Sequence, residues 1–142
     1  MVTVRQLLDR KDRGVHSIEA EAPVLEAIES MAEHHIGALL VLRGQELAGI
    51  VSERDYARKV ILHGRSSSET PVWQIMSSPV RTVSPEQTVN DCMHLMTEHR
   101  IRHLPVLQNG RVTGMISIGD LVKAVIEEQR QTIEQLESYI HR

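Results

Sequence analysis

At 142 residues and a net charge of −3, the chain is one domain's worth of sequence, enough to bury ~70% of the surface its unfolded form exposes. Acidic and basic residues alternate along it, which leaves no electrostatic case for nucleic acid or an anionic membrane as partner. One cysteine, Cys92, excludes an internal disulfide framework and fits a reducing compartment, so the expected location is cytoplasmic.

No apolar run approaches the ~20 residues that span a bilayer, and the start MVTVRQLLDRKDRG reads as too polar for a signal peptide. With no Phe, one Trp and two Tyr, the core is expected to be aliphatic and Met-based.

In chain order, the first dozen residues predict an amphipathic helix with Val4, Leu7 and Leu8 on one side. A short extended stretch at Val15-His16-Ser17-Ile18 follows. Val24, Ala27, Ile28, Met31 and Ala32 then recur at helical spacing. Two short apolar runs, Ala38–Leu42 and Leu47–Val51, flank the polar turn Arg43–Glu46, and a second helix is expected to begin near Ser52.

GRSSSET at 64–70 is a loop by composition, and 71–76 predicts a short helix. The series then repeats: extended at 80–83, helical over Val89, Cys92, Met93 and Met96, with apolar runs at 104–107 and 112–116. Asn109-Gly110, between those runs, is a hairpin signal, and a helix begins near Ser117. The chain therefore divides into an N-terminal helix (1–14), repeat one (15–65), a linker (66–79), repeat two (80–126) and a C-terminal helical extension (127–142).

The duplication is measurable. Residues 15–61 and 80–126 align at a constant offset of 65, and fifteen of the 47 positions are identical. Apolar matches alone reflect a shared fold. The recurrence of Gly49-x-x-Ser52-x-x-Asp55 as Gly114-x-x-Ser117-x-x-Asp120 repeats polar chemistry at a fixed place, which suggests two related sites. One repeat alone would be marginal in stability, so the two are expected to fold as a pair around a pseudo-two-fold axis.

Ser-x-x-Asp has two readings. It is a capping box by pattern, with Asp in place of Glu. The same geometry suits a nucleotide: a helix start offers free N–H groups to phosphate, and an ionised Asp can accept ribose hydroxyls. The copies differ around it. Arg54 precedes Asp55 where Gly119 precedes Asp120, while repeat two carries Arg100, Arg102 and His103 where repeat one has His35, Gly37 and Ala38. An Arg can grip phosphate through paired hydrogen bonds.

Arg58 and Lys59 read as an exposed helix face, with phosphate contact as the alternative. Eight histidines form no metal-ligand motif, and Cys92, aligned with Ala27, reads as a small buried residue. No nucleophile, base and orienter recur at usable spacing, so no enzyme activity is expected.

Two strand-helix-strand-strand-helix repeats ending in GIVSERD and GMISIGD, with the entry IMSSPVRTVSPEQTV and the strand RIRHLPVL, resemble the CBS domain pair, or Bateman module. SERDYARKVILHGRSS, CMHLMTEHRIRHLPV and SIGDLVKAVIEEQRQTIEQLESYI are similar to stand-alone bacterial CBS-pair proteins and a mitochondrial plant relative.

The resemblance implies an α/β tandem pair that binds an adenosine ligand (AMP, ATP, NAD or S-adenosylmethionine) in a cleft between its repeats, needs no metal, forms a homodimer and signals to an unknown regulated protein. It places the nucleotide on Ser17, Ser52, Asp55, Thr82, Arg102, His103, Ser117 and Asp120, to which Arg54, beside a helix start, adds a candidate phosphate contact. The alternative, from the plant relative's link to thioredoxin systems, is a protein-partner adaptor in which the nucleotide is structural or absent.

The C-terminal helix, expected over 119–141, would run ~35 Å and carry Ile133, Leu136 and Ile140 beyond a single-repeat core. Either a second copy covers them, or the helix folds back on Leu7 and Leu8.

Overall fold

The computed structural model describes residues 1–11 and 14–141. They form two units: Met1–Gly14 with Thr82–Arg142, and Val15–Arg81. The chain passes from the first unit into the second after residue 14 and returns after residue 81.

In the unit Val15–Arg81, β1 (Ser17–Glu19) pairs parallel with β2 (Ala38–Arg43), and β2 pairs antiparallel with β3 (Glu46–Ser52). Helix α2 (Val24–His34) buries Val24, Ala27 and Met31, the expected stripe. After Ser52 the chain turns into α3 (Glu53–Tyr56), which widens into a π-helical turn over Ala57–Ile61.

The other unit repeats the plan at the same offset, with α4 (Val89–His99), β4 (His103–Gln108), β5 (Arg111–Ser117) and α5 (Ile118–Ile140). Both hairpins carry a register shift at the same place, Val41/Leu42 and Val106/Leu107. Asn109 and Gly110 take φ of 54° and 78°, as the two-residue hairpin turn read from Asn-Gly requires. The predicted strand at 80–83 is shorter than expected: only Val83 bridges Val106.

Each unit is completed by a leading segment that the sequence reading treated separately. Helix α1 (Val4–Asp9) packs Val4, Leu7 and Leu8 into the core of repeat two with Leu104, Ile116 and Leu121. The 3-10 turn Val72–Gln74 places Val72 and Ile75 in the core of repeat one with Leu39 and Val51.

The backbone bonds correspond one for one. Val4 N–H donates to Gln87 O, and Val72 N–H to Ala22 O, both at 2.8 Å. Arg5 N–H reaches Pro85 O (2.9 Å) as Trp73 N–H reaches Ala20 O (3.0 Å). Sequence similarity was present in VRQLL (4–8) and VWQIM (72–76), but these align at an offset of 68, outside the register of the main repeat.

The two motif glycines are where these segments press on the sheets. A Cβ on Gly49 would stand 2.7 Å from Met76 Sδ and 2.8 Å from the Ser77 carbonyl oxygen; one on Gly114 would stand 2.5 Å from Leu8 Cδ2. A side chain can yield, but a backbone carbonyl held by the Ser77–Ile50 bridge cannot. Urea denaturation is therefore expected to show Gly49→Ala destabilising by ~1–3 kcal/mol, the range for overpacking, and Gly114→Ala by less.

Candidate functional site

The residues singled out in the sequence gather at one end of each unit's sheet. In repeat one, Ser17 opens β1, Ala38 opens β2 and pairs with Ser52, and Ser52 closes β3. In repeat two, Thr82 precedes the Val83 bridge, and His103 opens β4 opposite Ser117 at the end of β5. Each unit thus brings its own set together: Ser17, Ser52, Arg54 and Asp55 in one, Thr82, Arg102, His103, Ser117 and Asp120 in the other. Arg54 and Arg102 are exposed, and the serines and aspartates of the motifs are half-buried.

Both motifs are complete capping boxes, so the capping reading holds. Asp55 N–H donates to Ser52 Oγ at 3.2 Å, while Ser52 N–H and Oγ donate to Asp55 Oδ2 at 2.9 and 3.0 Å. In repeat two, Asp120 N–H donates to Ser117 Oγ (3.2 Å) and Ser117 N–H to Asp120 Oδ2 (2.8 Å). The first helical N–H groups are also occupied: Glu53 donates to Gly37 O at 3.1 Å and Ile118 to Arg102 O at 2.9 Å.

Two lysines that the sequence reading did not assign to the site complete it. Lys59 keeps 43% of its side chain exposed, as its helix-face position predicts, while its ammonium turns to Asp55 Oδ1 (3.2 Å) and donates to Ile75 O (2.9 Å). Position 124, its equivalent in repeat two, is Ala. There Lys11 supplies the ammonium, donating to Asp120 Oδ2 (2.8 Å) and Met115 O (2.9 Å). The i,i+4 spacing of Asp55 and Lys59 was a signal for the first pair. No local pattern signals the second.

Burial by itself would raise the Asp120 carboxyl, but the hydrogen bonds from Lys11 and Ser117 outweigh it and hold the group below its usual range. Burial pushes His103 down; Asp120 pulls it up, while Lys11 and Arg102 oppose that. His103 is thus held below the ordinary histidine value, which favours the neutral imidazole as a hydrogen-bonding group.

Beside Asp120 lies a cavity of about 240 Å³ rimmed by Arg10, Lys11, Lys123 and Glu127; beside Lys59 lies one of about 290 Å³ lined by Lys59, His63, Arg65 and Gln74. Cys92 is fully buried, and its thiol is pushed up to about 11, which makes it a packing residue and a poor nucleophile. Among the described residues, no group of three His, Cys, Asp or Glu side chains is placed to hold a metal ion, and no helix is long and apolar enough to cross a membrane.

The family model for the CBS domain matches residues 2–62 and again 72–127. The chain belongs to the CBS-domain family. Each match begins at a leading segment, but along the sequence it joins that segment to the repeat that follows, whereas α1 packs into the core of repeat two and the 3-10 turn into that of repeat one.

A putative signal-transduction protein with CBS domains from Burkholderia ambifaria is similar at a TM-score of 0.87 and 54% identity, covering 90% of this chain and 96% of that one. The mitochondrial CBS domain-containing protein CBSX3 of Arabidopsis thaliana is 48% identical over 122 residues, 82% of this chain; the match spans only 59% of the plant protein. YhcV, a CBS domain-containing protein of Bacillus subtilis, is 31% identical, with 80% of each chain covered. CBS pairs are generally regulatory modules that bind adenosine ligands rather than catalysts.

The two shifted groups give the site a pH signature. A lowered His103 contributes stability that is present above its unfolded value of 6.5 and is lost as pH falls through the lower folded value. Asp120 does the same starting from 3.8. Denaturation followed from pH 8 to pH 3 is expected to show His103→Asn flattening the upper part of the acid decline relative to wild type, and Asp120→Asn the lower part.

Proposed function

We propose that this CBS pair is a non-catalytic sensor of an adenosine ligand of the AMP, ATP or NAD class, and that a partner protein reads its ligand-dependent state. The observation that carries the reading is the pair of motif aspartates. Both are tied by their own serines at matching sheet ends, and Asp120 is held firmly ionised, which suits a carboxylate that accepts ribose hydroxyls. Ser17 and Thr82 supply hydroxyls at the same ends. Arg54 and Arg102 are exposed cations next to the motifs, suited to phosphate, with Ser52, Ser117 and the neutral His103 as hydrogen-bonding groups.

Binding would act by favouring one packing of the module over another. The Burkholderia protein's description as a signal-transduction protein supports this class of role. A cytoplasmic location is part of the proposal. So is the absence of a required metal.

Calorimetry with AMP, adenosine and 2′-deoxy-AMP tests the ligand. Asp→Ala at a filled position is expected to cost ~1.5–3 kcal/mol of binding, the range for a charged hydrogen bond, and deoxy-AMP and adenosine should bind less tightly than AMP. Unchanged affinity in Asp55→Ala, Asp120→Ala and the double variant would remove the assignment.

A homodimer is part of the same proposal, built on α5. Its Ile133, Leu136 and Ile140 are 55, 57 and 73% exposed, while Leu7 and Leu8 are buried with Leu121 and Leu104; the helix does not fold back on them. With Val122 and Ile126, also exposed, these residues follow the spacing of a coiled-coil seam, with Ile recurring every seven residues. Arg130 and Glu137 flank the seam on one side, seven residues apart. Two antiparallel copies would set Arg130 of each against Glu137 of the other, so the occupant that fits is a second copy of this chain. Light scattering on a chain lacking residues 130–142 is expected to show a smaller assembly or a weakened dimer; a dimer of unchanged affinity would refute the role of the helix.

A further inference from the structure

The two motif aspartates are not equivalent acceptors, and the difference lies in which oxygen each lysine takes. In repeat two, the ammonium of Lys11 and the backbone N–H of Ser117 converge on one oxygen of Asp120, Oδ2. No hydrogen bond within the described residues ends on Oδ1.

In repeat one, Oδ2 of Asp55 already receives two donors from Ser52, its N–H and its hydroxyl. Lys59 goes to the other oxygen, Oδ1. Asp55 is also the less accessible carboxylate, with 12% of its side chain exposed against 23% for Asp120.

A carboxylate that accepts both hydroxyls of a ribose must be ionised, fixed in orientation, and have an oxygen turned to the ligand. Asp120 meets the first two, and no hydrogen bond from the described residues ends on its Oδ1. Asp55 is fixed in orientation through Ser52 and offers an oxygen that an ammonium already shares.

We infer that Lys11 and Lys59 are positioning residues of opposite effect. Lys11 fixes Asp120 by its inner oxygen and makes that position the tighter of the two for a cis-diol-bearing nucleotide. Lys59 competes for the outer oxygen of Asp55 and makes that position the weaker. The inference rests on the nucleotide-binding reading above and assigns to Lys11, 109 residues from Asp120 in sequence, a part in it that the family motif does not contain. The ammonium is retained in both repeats although the chain supplies it from unrelated places, from the motif helix in one and from just beyond α1 in the other. Each carboxylate thus meets an ammonium, but on a different oxygen in each repeat.

Titration calorimetry with AMP and with 2′-deoxy-AMP decides the matter, using wild type, Lys11→Met, Lys11→Arg, Lys59→Met and Asp120→Ala. Wild type is expected to show two unequal affinities, the tighter one absent in Asp120→Ala. Lys11→Met should weaken that tighter step about tenfold or more, the equivalent of one charged hydrogen bond, and bring AMP and 2′-deoxy-AMP closer in affinity, with Lys11→Arg restoring most of both. Lys59→Met should strengthen the weaker step and leave the tighter one in place.

A change in stability alone would not alter the ratio between the two ligands, so that ratio separates positioning from folding. Should Lys11→Met fail to fold by circular dichroism, Lys11→Arg and Lys59→Met carry the test. A tighter step unchanged in Lys11→Met, or a weaker step further weakened in Lys59→Met, overturns the inference and leaves the nucleotide reading intact. Absence of any binding by wild type removes both.

Discussion

Both candidate positions depend on how a strand is turned into a helix. Where β3 and β5 end, the chain must satisfy the free N–H groups of a new helix in a half-buried setting, and each unsatisfied one would cost ~1–3 kcal/mol. A serine and an aspartate three residues apart solve this reciprocally. The hydroxyl takes the aspartate's own N–H, and the carboxylate takes the serine's N–H. The solution uses only one carboxylate oxygen. The capping bonds thus end on Oδ2 alone and leave Oδ1 outside the box.

The repeat was legible because the capping motif has a chemical identity of its own. Gly-x-x-Ser-x-x-Asp fixes the register, and the apolar periodicities on either side then fall into place as helix and hairpin. Cys92 was legible through its alignment with Ala27, and the Asn109-Gly110 turn through its backbone demands.

Two features were not legible, and both for reasons of distance. The leading segments lie in the opposite half of the sequence from one repeat or at its far end, in a register three residues off the main one. Lys11 meets a residue that no local spacing connects to it. Lys59 was legible as an outer-face residue, but not the reach of its four-carbon stem, which carries the ammonium to Asp55 and Ile75.

Duplication followed by divergence explains the pattern of likeness and difference. The elements that hold the backbone, including the left-handed helix ends at His35 and Arg100, both at φ 54°, are preserved at constant offset. The side chains around the carboxylates are not: Ala38 faces His103 across the alignment, Lys59 faces Ala124, and a π-helical turn in one copy is regular α-helix in the other. Scaffold and chemistry have been held to different standards, which is what two positions with different duties would require.

The leading segments carry a consequence for the order in which the protein is made. Val15–Arg81 is one continuous stretch, so every strand and helix of that unit has left the ribosome once residue 81 has. The other unit is split across the whole sequence. Synthesis runs from the N-terminus, so α1 emerges well before the sheet and helix that bury it. Val4, Leu7 and Leu8 must wait for the sheet and helix that bury them, and Leu121 of α5 is more than a hundred residues behind. During translation Val15–Arg81 can be native while α1 is still a short apolar segment without a core, open to capture by a chaperone.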